Sequence, residues 1–440
     1  MLTDFIKIGA NEIANSARLS AYVAVLGSPL TGGSVCACPT LTAEVLGDDP
    51  YTTPDDPANP APWYDADVPD SSQFLGFMPL TMEGIDDYPV TRQVTSSVSG
   101  SGSIGTPRVA PRTVVVTGLL LGNTCCAVEY GLHWLAEALQ GCNGGCNGDC
   151  VSMYTCCPPD DVTPVQYNAR YRRTYRRVAL TSGPNVIARN GGGGSCSGTC
   201  GGGADIVTVE FVLTAATPWA WTDPEPLLDV SLPEDDDDTC VEWCTTSSVT
   251  PECVESCNPT DCDALGISCS DPRYPATALP DAGSAPQSGS CVPLATTRTC
   301  YDIDLSDRPA WSVDALTLVL SSGSTELRNV TISLFVKRDV DLALPCSTVA
   351  DQNPCGAIGS WNVSYVPANS SITLDGQIGR ATLECGGECT TARNVYGPNG
   401  APPLFPTLGC ATYCLCIETD LMNPPGIGSS LTASVSGKGL

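Results

Sequence analysis

Residues Asp205–Ala215 read DIVTVEFVLTA, and the alternation in this stretch decides the fold class. Val207, Val209, Phe211 and Leu213 fall on one side and Thr208, Glu210 and Thr214 on the other, the period of two expected when one face of a strand meets a core and the other meets water. Upstream, Arg112–Leu121 (RTVVVTGLLL) is a β-rich run of the same kind. Between the two, Thr124–Gln140 places Val128, Leu132, Leu135 and Leu139 at helical spacing, a single apolar stripe. No other segment reads as a helix. Downstream, Leu316, Leu318 and Leu320 share a face, as do Ile332, Leu334 and Val336, and Tyr413, Leu415 and Ile417. Turn pairs such as Ser322-Gly323 and Asp375-Gly376 separate them. The pattern predicts a mainly β chain: an N-terminal β-sandwich carrying one α-helix and a C-terminal antiparallel β-sandwich.

Composition sets the boundaries. Residues 1 to about 110 are rich in Pro, Asp, Ser and Thr and read as short strands and long loops, including Ala21–Leu26 and Phe74–Leu80. Residues 226–297 are Pro-rich, acidic at Glu234–Asp238 and poor in apolar side chains, so they read as a cysteine-rich acidic connector that needs cross-links to hold a shape. The expected organisation is a domain over 1–225, the connector over 226–297 and a second domain over 298–440.

Charge and motifs exclude several function classes. The chain has 48 acidic and 20 basic residues among 440, a net charge of −28 that repels phosphate backbones and anionic headgroups. Nucleic acid is therefore not an expected partner. No run of about 18 apolar residues is present to cross a bilayer. Asp4, Lys7, Asn11 and Glu12 interrupt the N-terminal apolar run, so no secretory leader is expected. The single histidine, His133, has Glu129 and Glu137 one helical turn away, a spacing more typical of a solvated face than of a metal site. Gly100–Gly105 matches G-x-G-x-x-G, but a Ser-rich loop precedes it and Thr-Pro follows, with no helix to receive a phosphate. The acidic sets at Glu234–Asp238 and at Asp302, Asp304 and Asp307 lack a calcium-loop pattern. Neither a catalytic residue nor a cofactor or metal site is predicted, and an enzyme is not expected.

Two residue classes remain as candidates. Of the 26 cysteines, Cys142, Cys146, Cys150, Cys196, Cys200, Cys240, Cys244, Cys253, Cys257, Cys385, Cys389, Cys410 and Cys414 recur at steps of four in polar loops. Zinc sites favour closer knuckles and histidines, so disulfides are the better reading, with connectivity open. The run Arg170, Arg172, Arg173, Arg176 and Arg177, interleaved with Tyr171 and Tyr175, places arginine on both faces of a strand. In so acidic a chain it suits carboxylates of a neighbouring copy, with a solvated hairpin the equal alternative.

A resemblance gives these residues a context. The strand ending TVEFVLTAATPWAW (Thr208–Trp221) resembles the end of the N-terminal domain in minor tail proteins of phages infecting actinobacteria. EIANSARLSAYV (Glu12–Val23), RRVALTSGPNVIAR (Arg176–Arg189), WNVSYVPANSSITLDGQIGRATLEC (Trp361–Cys385) and PPLFPTLGCATYCLCIETD (Pro402–Asp420) follow the same family in order. The sequence of strand, helix, Arg-rich hairpin and strand over 111–215 is similar to the N-terminal domain of distal tail proteins. The resemblance implies a virion protein of the tail tip, assembled in the host cytoplasm. It further implies a ring, commonly of six copies, that joins the tail tube to hub or baseplate proteins. Cysteine-rich insertions at 142–157, 196–200 and 240–291 depart from the family. A rival expectation is a cysteine-rich carbohydrate-binding or host-adhesion module, with Trp311, Trp361 and Tyr365 as a platform for a host-surface glycan.

Overall fold

The computed structural model describes residues 2–26, 38–98, 100–141, 149–189, 205–232, 296–420 and 425–439. The chain is mainly β, as the alternation predicts, and divides into two units, Met1–Pro224 with Ser436–Leu440 and Glu225–Val435.

The first unit contains β1 (Phe5–Ile8), β2 (Asn11–Asn15), α1 (Ser16–Leu26), α2 (Ala43–Leu46), β3 (Phe74–Glu83), β4 (Val90–Thr91), β5 (Val94–Ser96), β6 (Gly102–Ile104) and β7 (Arg108–Val109). It continues with β8 (Arg112–Gly122), α3 (Cys125–Ala138), β9 (Asp149–Tyr154), α4 (Pro164–Tyr171), β10 (Arg172–Arg189), β11 (Asp205–Ala215) and β12 (Ala220–Trp221). Strand order is β11-β8-β3-β2-β1-β9-β10, and β10 pairs again with β11, so the sheet closes into a barrel where a sandwich was expected. The 18 residues of β10 make this possible. Arg172–Val178 pair with β9 and Val178–Arg189 with β11. Arg177, at a φ of 56°, absorbs the register shift between them as a bulge. The alternation of β11 does what its pattern predicts, with Val207, Val209, Phe211 and Leu213 at most 2% exposed.

Helix α3 forms where its stripe predicts. The Thr124 hydroxyl caps it by accepting from Ala127 N at 3.1 Å, and Val128, Leu135 and Leu139 are buried. Helix α1 corrects the reading of the first 110 residues as strands and loops. Asn15 Oδ1 accepts from the amides of Ala17 and Arg18 at 3.1 and 3.2 Å, starting the helix. Its buried stripe is Arg18, Leu19, Tyr22 and Val23, and the arginine within it hides the periodicity. Arg18 is accommodated because Nε meets Glu12 at 2.8 Å and the guanidinium lies 4.2 Å from the Tyr51 ring centre. Although burial alone would lower the pKa of Arg18, Glu12 and Tyr22 hold it above its ordinary value.

The second unit contains β13 (Glu225–Ser231), β14 (Thr296–Asp304), β15 (Asp314–Ser321), β16 (Leu327–Lys337), α5 (Cys346–Gln352), β17 (Gly359–Val366), β18 (Ser370–Asp375), β19 (Arg380–Cys385), β20 (Glu388–Thr391), β21 (Val395–Tyr396), β22 (Thr407–Leu408), β23 (Thr412–Asp420) and most of β24 (Ser430–Gly439). One sheet runs β13-β24-β15-β18-β19-β20 and the other β14-β23-β16-β17-β21. Leu316, Leu318, Leu320 and Ile372 of the first meet Ile332, Leu334, Trp361, Leu415 and Ile417 of the second in one core, which makes a sandwich. Val336 corrects its predicted face. The alternation breaks at Leu334 and Phe335, both buried, leaving Val336 37% exposed. The start of the expected connector is also corrected. Glu225–Ser231 pair with β24, and Leu232 is buried, while the rest of the connector, 233–295, lies outside the described residues.

Candidate assembly interface

Between β3 and β8 the chain leaves the barrel as a two-stranded arm. Val90–Thr91 pair with Arg108–Val109 and Val94–Ser96 with Gly102–Ile104, and all of these residues but the half-buried Val90 are exposed. Val94, Val98, Ile104 and Val109 are 67%, 109%, 68% and 54% exposed. A lone hairpin with no covered face is marginal in water. Residues 88–111 also contain Arg92 and Arg108 and no carboxylate, a local reversal of charge in a chain of net −28. Sequence reasoning missed the arm because its alternation is weak and serine-rich. The usable signal was that absence of acid. The G-x-G-x-x-G match at Gly100–Gly105 falls at the arm's tip.

The base of the arm is fixed. Arg112, 3% exposed, donates from Nε to Pro218 O at 2.8 Å and from Nη1 to Gly84 O at 3.2 Å and to Ile85 O. The Tyr175 hydroxyl donates to the same Ile85 carbonyl at 3.4 Å, and its ring lies 5.5 Å from the Arg112 guanidinium. Burial pushes the Tyr175 phenol up to about 12 despite that cation. Tyr88 packs edge-on against Trp219 at 5.7 Å, and Lys438 Nζ lies 3.7 Å above the same ring.

The five candidate arginines do not form one surface. Arg170 is in the last turn of α4, not on the strand. Arg172 Nε pairs with Asp223 at 2.7 Å. Arg173 folds back on the carbonyls of Arg170 and Arg172 at 3.0 and 2.7 Å, and burial lowers its pKa. Arg176 is half-buried, so Arg177 at the bulge is the one of the five that stands exposed on the strand. Although arginine falls on both faces of this strand, Tyr175 and Val178 are buried and give it a core face.

Where both partners are described, the bridges join cysteines distant in sequence and not the steps of four. Among the described residues the bridges include Cys38–Cys157, Cys300–Cys416 and Cys346–Cys414. Cys410 is an exposed thiol donating to Ser306 O at 3.1 Å, and Cys414, four residues on, is bonded to Cys346 instead. Cys385 is likewise an exposed thiol, while Cys389 is disulfide-bonded. The two cannot join across their hairpin, since Cys389 pairs with Glu384, one residue from Cys385 and on the opposite face. Cys150 sits half-buried on β9 opposite Arg176. Cys142, Cys146, Cys196, Cys200, Cys240, Cys244, Cys253 and Cys257, together with Glu234–Asp238, lie outside the described residues.

The remaining candidates resolve locally. His133 is exposed and 4.0 Å from Glu129, which Arg189 also engages at 3.1 Å. Among the described residues, the metal-like grouping of Asp302, Cys346 and Cys414 is already committed: the sulfurs are bonded to each other and Asp302 holds Lys337 at 2.7 Å. The aromatic platform is corrected because Trp361 is 2% exposed core, while Trp311 stands 81% exposed. No described helix is long and apolar enough to cross a membrane.

A closed barrel with a protruding arm, joined in sequence to a β-sandwich, is the class of protein these observations define. No family model matches the chain, and no curated protein matches it. Among solved structures it is similar to the Dit protein of phage SPP1, described as a paradigm of the hub adsorption apparatus in phages infecting Gram-positive bacteria. The identity is 11%, the TM-score 0.35, and the match covers 84% of this chain and 96% of that one. It is also similar to a chain of the phage P2 baseplate in its activated conformation with calcium, at 8% identity, TM-score 0.35 and coverage of 82% and 90%. Likeness at this level carries no functional argument.

Proposed function

We propose that this chain is a structural, non-enzymatic component of a bacteriophage tail tip, a minor tail or distal tail protein. In this reading it forms a ring with copies of itself and joins the tail tube to hub or baseplate proteins. The colinear sequence motifs support the tail assignment, and the arm over 90–109 supports self-association. Four exposed aliphatic side chains on an acid-free hairpin are stable only against another surface, and the acidic body of a second copy complements them. The first unit then carries the ring contacts, the second unit contacts other tip proteins, and the protein resides in the virion after assembly in the host cytoplasm. Light scattering and negative-stain electron microscopy of the purified protein test this. Closed rings, with the chain present in purified particles, are expected. A monomer at every concentration and absence from particles refute it.

The rival reading, a carbohydrate-binding or host-adhesion module, keeps one observation. Trp311 is exposed on a loop held by Arg308, whose Nε lies 3.5 Å from buried Asp314, and by Ser312, which donates to Asp314 at 2.8 Å. A glycan array with wild type and Trp311→Ala separates the readings. Retention that depends on Trp311 favours this rival.

A further inference from the structure

Strand β23 is buried on both faces. Tyr413, Leu415 and Ile417 enter the sandwich core, while Cys414 and Cys416 point the other way and are 0% and 1% exposed. What covers that outer face is small. Helix α5 has seven residues and begins at Pro345 without a side-chain cap. It buries Cys346, Val349 and Ala350 against Phe335, Cys414 and Cys416. Its flanks at Asp339–Asp341 and Pro354–Gly356 are single 3-10 turns, so the segment between β16 and β17 carries no strand pairing to hold it. A helix this short does not persist through its own hydrogen bonds. Two covalent links converge beneath it. Cys346–Cys414 ties the helix to the sheet, and Cys300–Cys416 joins directly opposed residues of β14 and β23.

These two bridges have different mechanical roles. Cys300–Cys416 connects strands that nine backbone register pairs already hold from Thr296 to Asp304, so its loss leaves the sheet in place. Cys346–Cys414 connects an element whose other attachments are mainly the buried Val349 and Ala350, the partly buried Leu344 and Ala357, an exposed Arg298–Asp351 ion pair and, at the end of the segment, a 2.8 Å hydrogen bond from Ile358 N to Leu334 O. We propose that α5 is a redox-latched flap: the Cys346–Cys414 bridge holds it shut, and reduction releases residues 338–358 from the outer face of the second unit while the sandwich stays folded.

The chemistry balances with a dithiol reductant. Its thiolate attacks one sulfur and breaks the Sγ–Sγ bond, the departing sulfur takes a proton, and the second thiol of the reductant resolves the mixed disulfide. Two protein thiols and one oxidised reductant result. Relatching needs a small-molecule disulfide, such as oxidised glutathione, as electron acceptor. Because Cys346 and Cys414 are 4% and 0% exposed, exchange proceeds through brief openings of the flap. A chain made in a reducing compartment and used in an oxidising one would carry the flap open first and closed later.

The test uses the full-length chain. Peptide mapping without reduction is expected to recover Cys346 joined to Cys414. Hydrogen exchange, followed with and without a dithiol, is expected to accelerate about tenfold or more across 338–358 on reduction, with β15 and β18 unchanged. Cys346→Ser should exchange rapidly in both conditions. In the double variant Cys300→Ser/Cys416→Ser, the flap should still respond to the dithiol as wild type does. Absence of the bridge, equal exchange in both states, or loss of protection throughout β15 and β18 on reduction would each overturn the proposal.

Discussion

Replacing Val90–Val109 by a two-residue Asn-Gly turn removes the arm and leaves its base, since Arg112 and Tyr175 hold Gly84 and Ile85 by backbone carbonyls that remain. The arm contributes no buried side chain to the barrel, so the stability of the isolated chain should change by less than about 0.5 kcal/mol. Association should respond differently. The exposures of Val94, Val98, Ile104 and Val109 amount to about three fully exposed aliphatic side chains, worth roughly 5 kcal/mol if covered. Ordering the arm on a partner offsets about half. The remaining 2–3 kcal/mol corresponds to a roughly 30- to 150-fold weaker self-association per contact. Sedimentation velocity over a concentration series, with thermal unfolding as the control for folding, measures both. Rings that persist at wild-type concentrations in the deleted variant would refute the assignment of the arm as the ring contact. A large drop in the melting temperature of the monomer would refute its independence from the barrel.

Other outcomes follow from single positions. Arg177→Glu should weaken self-association most at low salt and little at 0.5 M salt, approximately, as sedimentation at two ionic strengths would show, whereas Arg172→Glu should instead destabilise the fold by losing Asp223. Arg112→Met should cost about 2–4 kcal/mol in denaturant unfolding, because the carbonyls of Gly84, Ile85 and Pro218 lose their donor in a buried site. Gly131→Ala, which would stabilise an exposed helix by up to about 1 kcal/mol, should destabilise α3 by roughly 1–3 kcal/mol because a Cβ there meets the Phe74 ring. Tyr154 and Tyr175 are both raised to about 12 by burial, so their phenols stay protonated in the folded chain after they ionise in the unfolded one. Their contribution is complete below the ordinary tyrosine pKa of about 10 and lost as pH rises from there through 12. A melting temperature that stays flat across that window would contradict their burial.

How much of this was legible in sequence depended on how local the cause was. The alternation of β11 and the spacing within α3 predict a mainly β chain with that helix, because strand and helix periods are properties of neighbouring residues. Helix α1 escaped because its stripe contains Arg18, whose burial depends on Glu12 and Tyr51 arriving from elsewhere. The same holds for the arginine run. Residue type suggested a shared charged surface, but Asp223 and the local carbonyls take two of the five, and a helix takes a third.

By itself, then, the sequence determined the β periodicity, the acidic charge with its acid-free stretch at 88–111, and the absence of catalytic motifs. Tertiary structure alone decided that β10 serves two neighbours and closes a barrel, that Cys414 bonds to Cys346 across 68 residues rather than to Cys410, and that Val94, Val98, Ile104 and Val109 of the arm stand exposed. The physical reason is common to all three. Closure, disulfide partnership and exposure are relations between distant segments, set by which surfaces meet once the cores have formed.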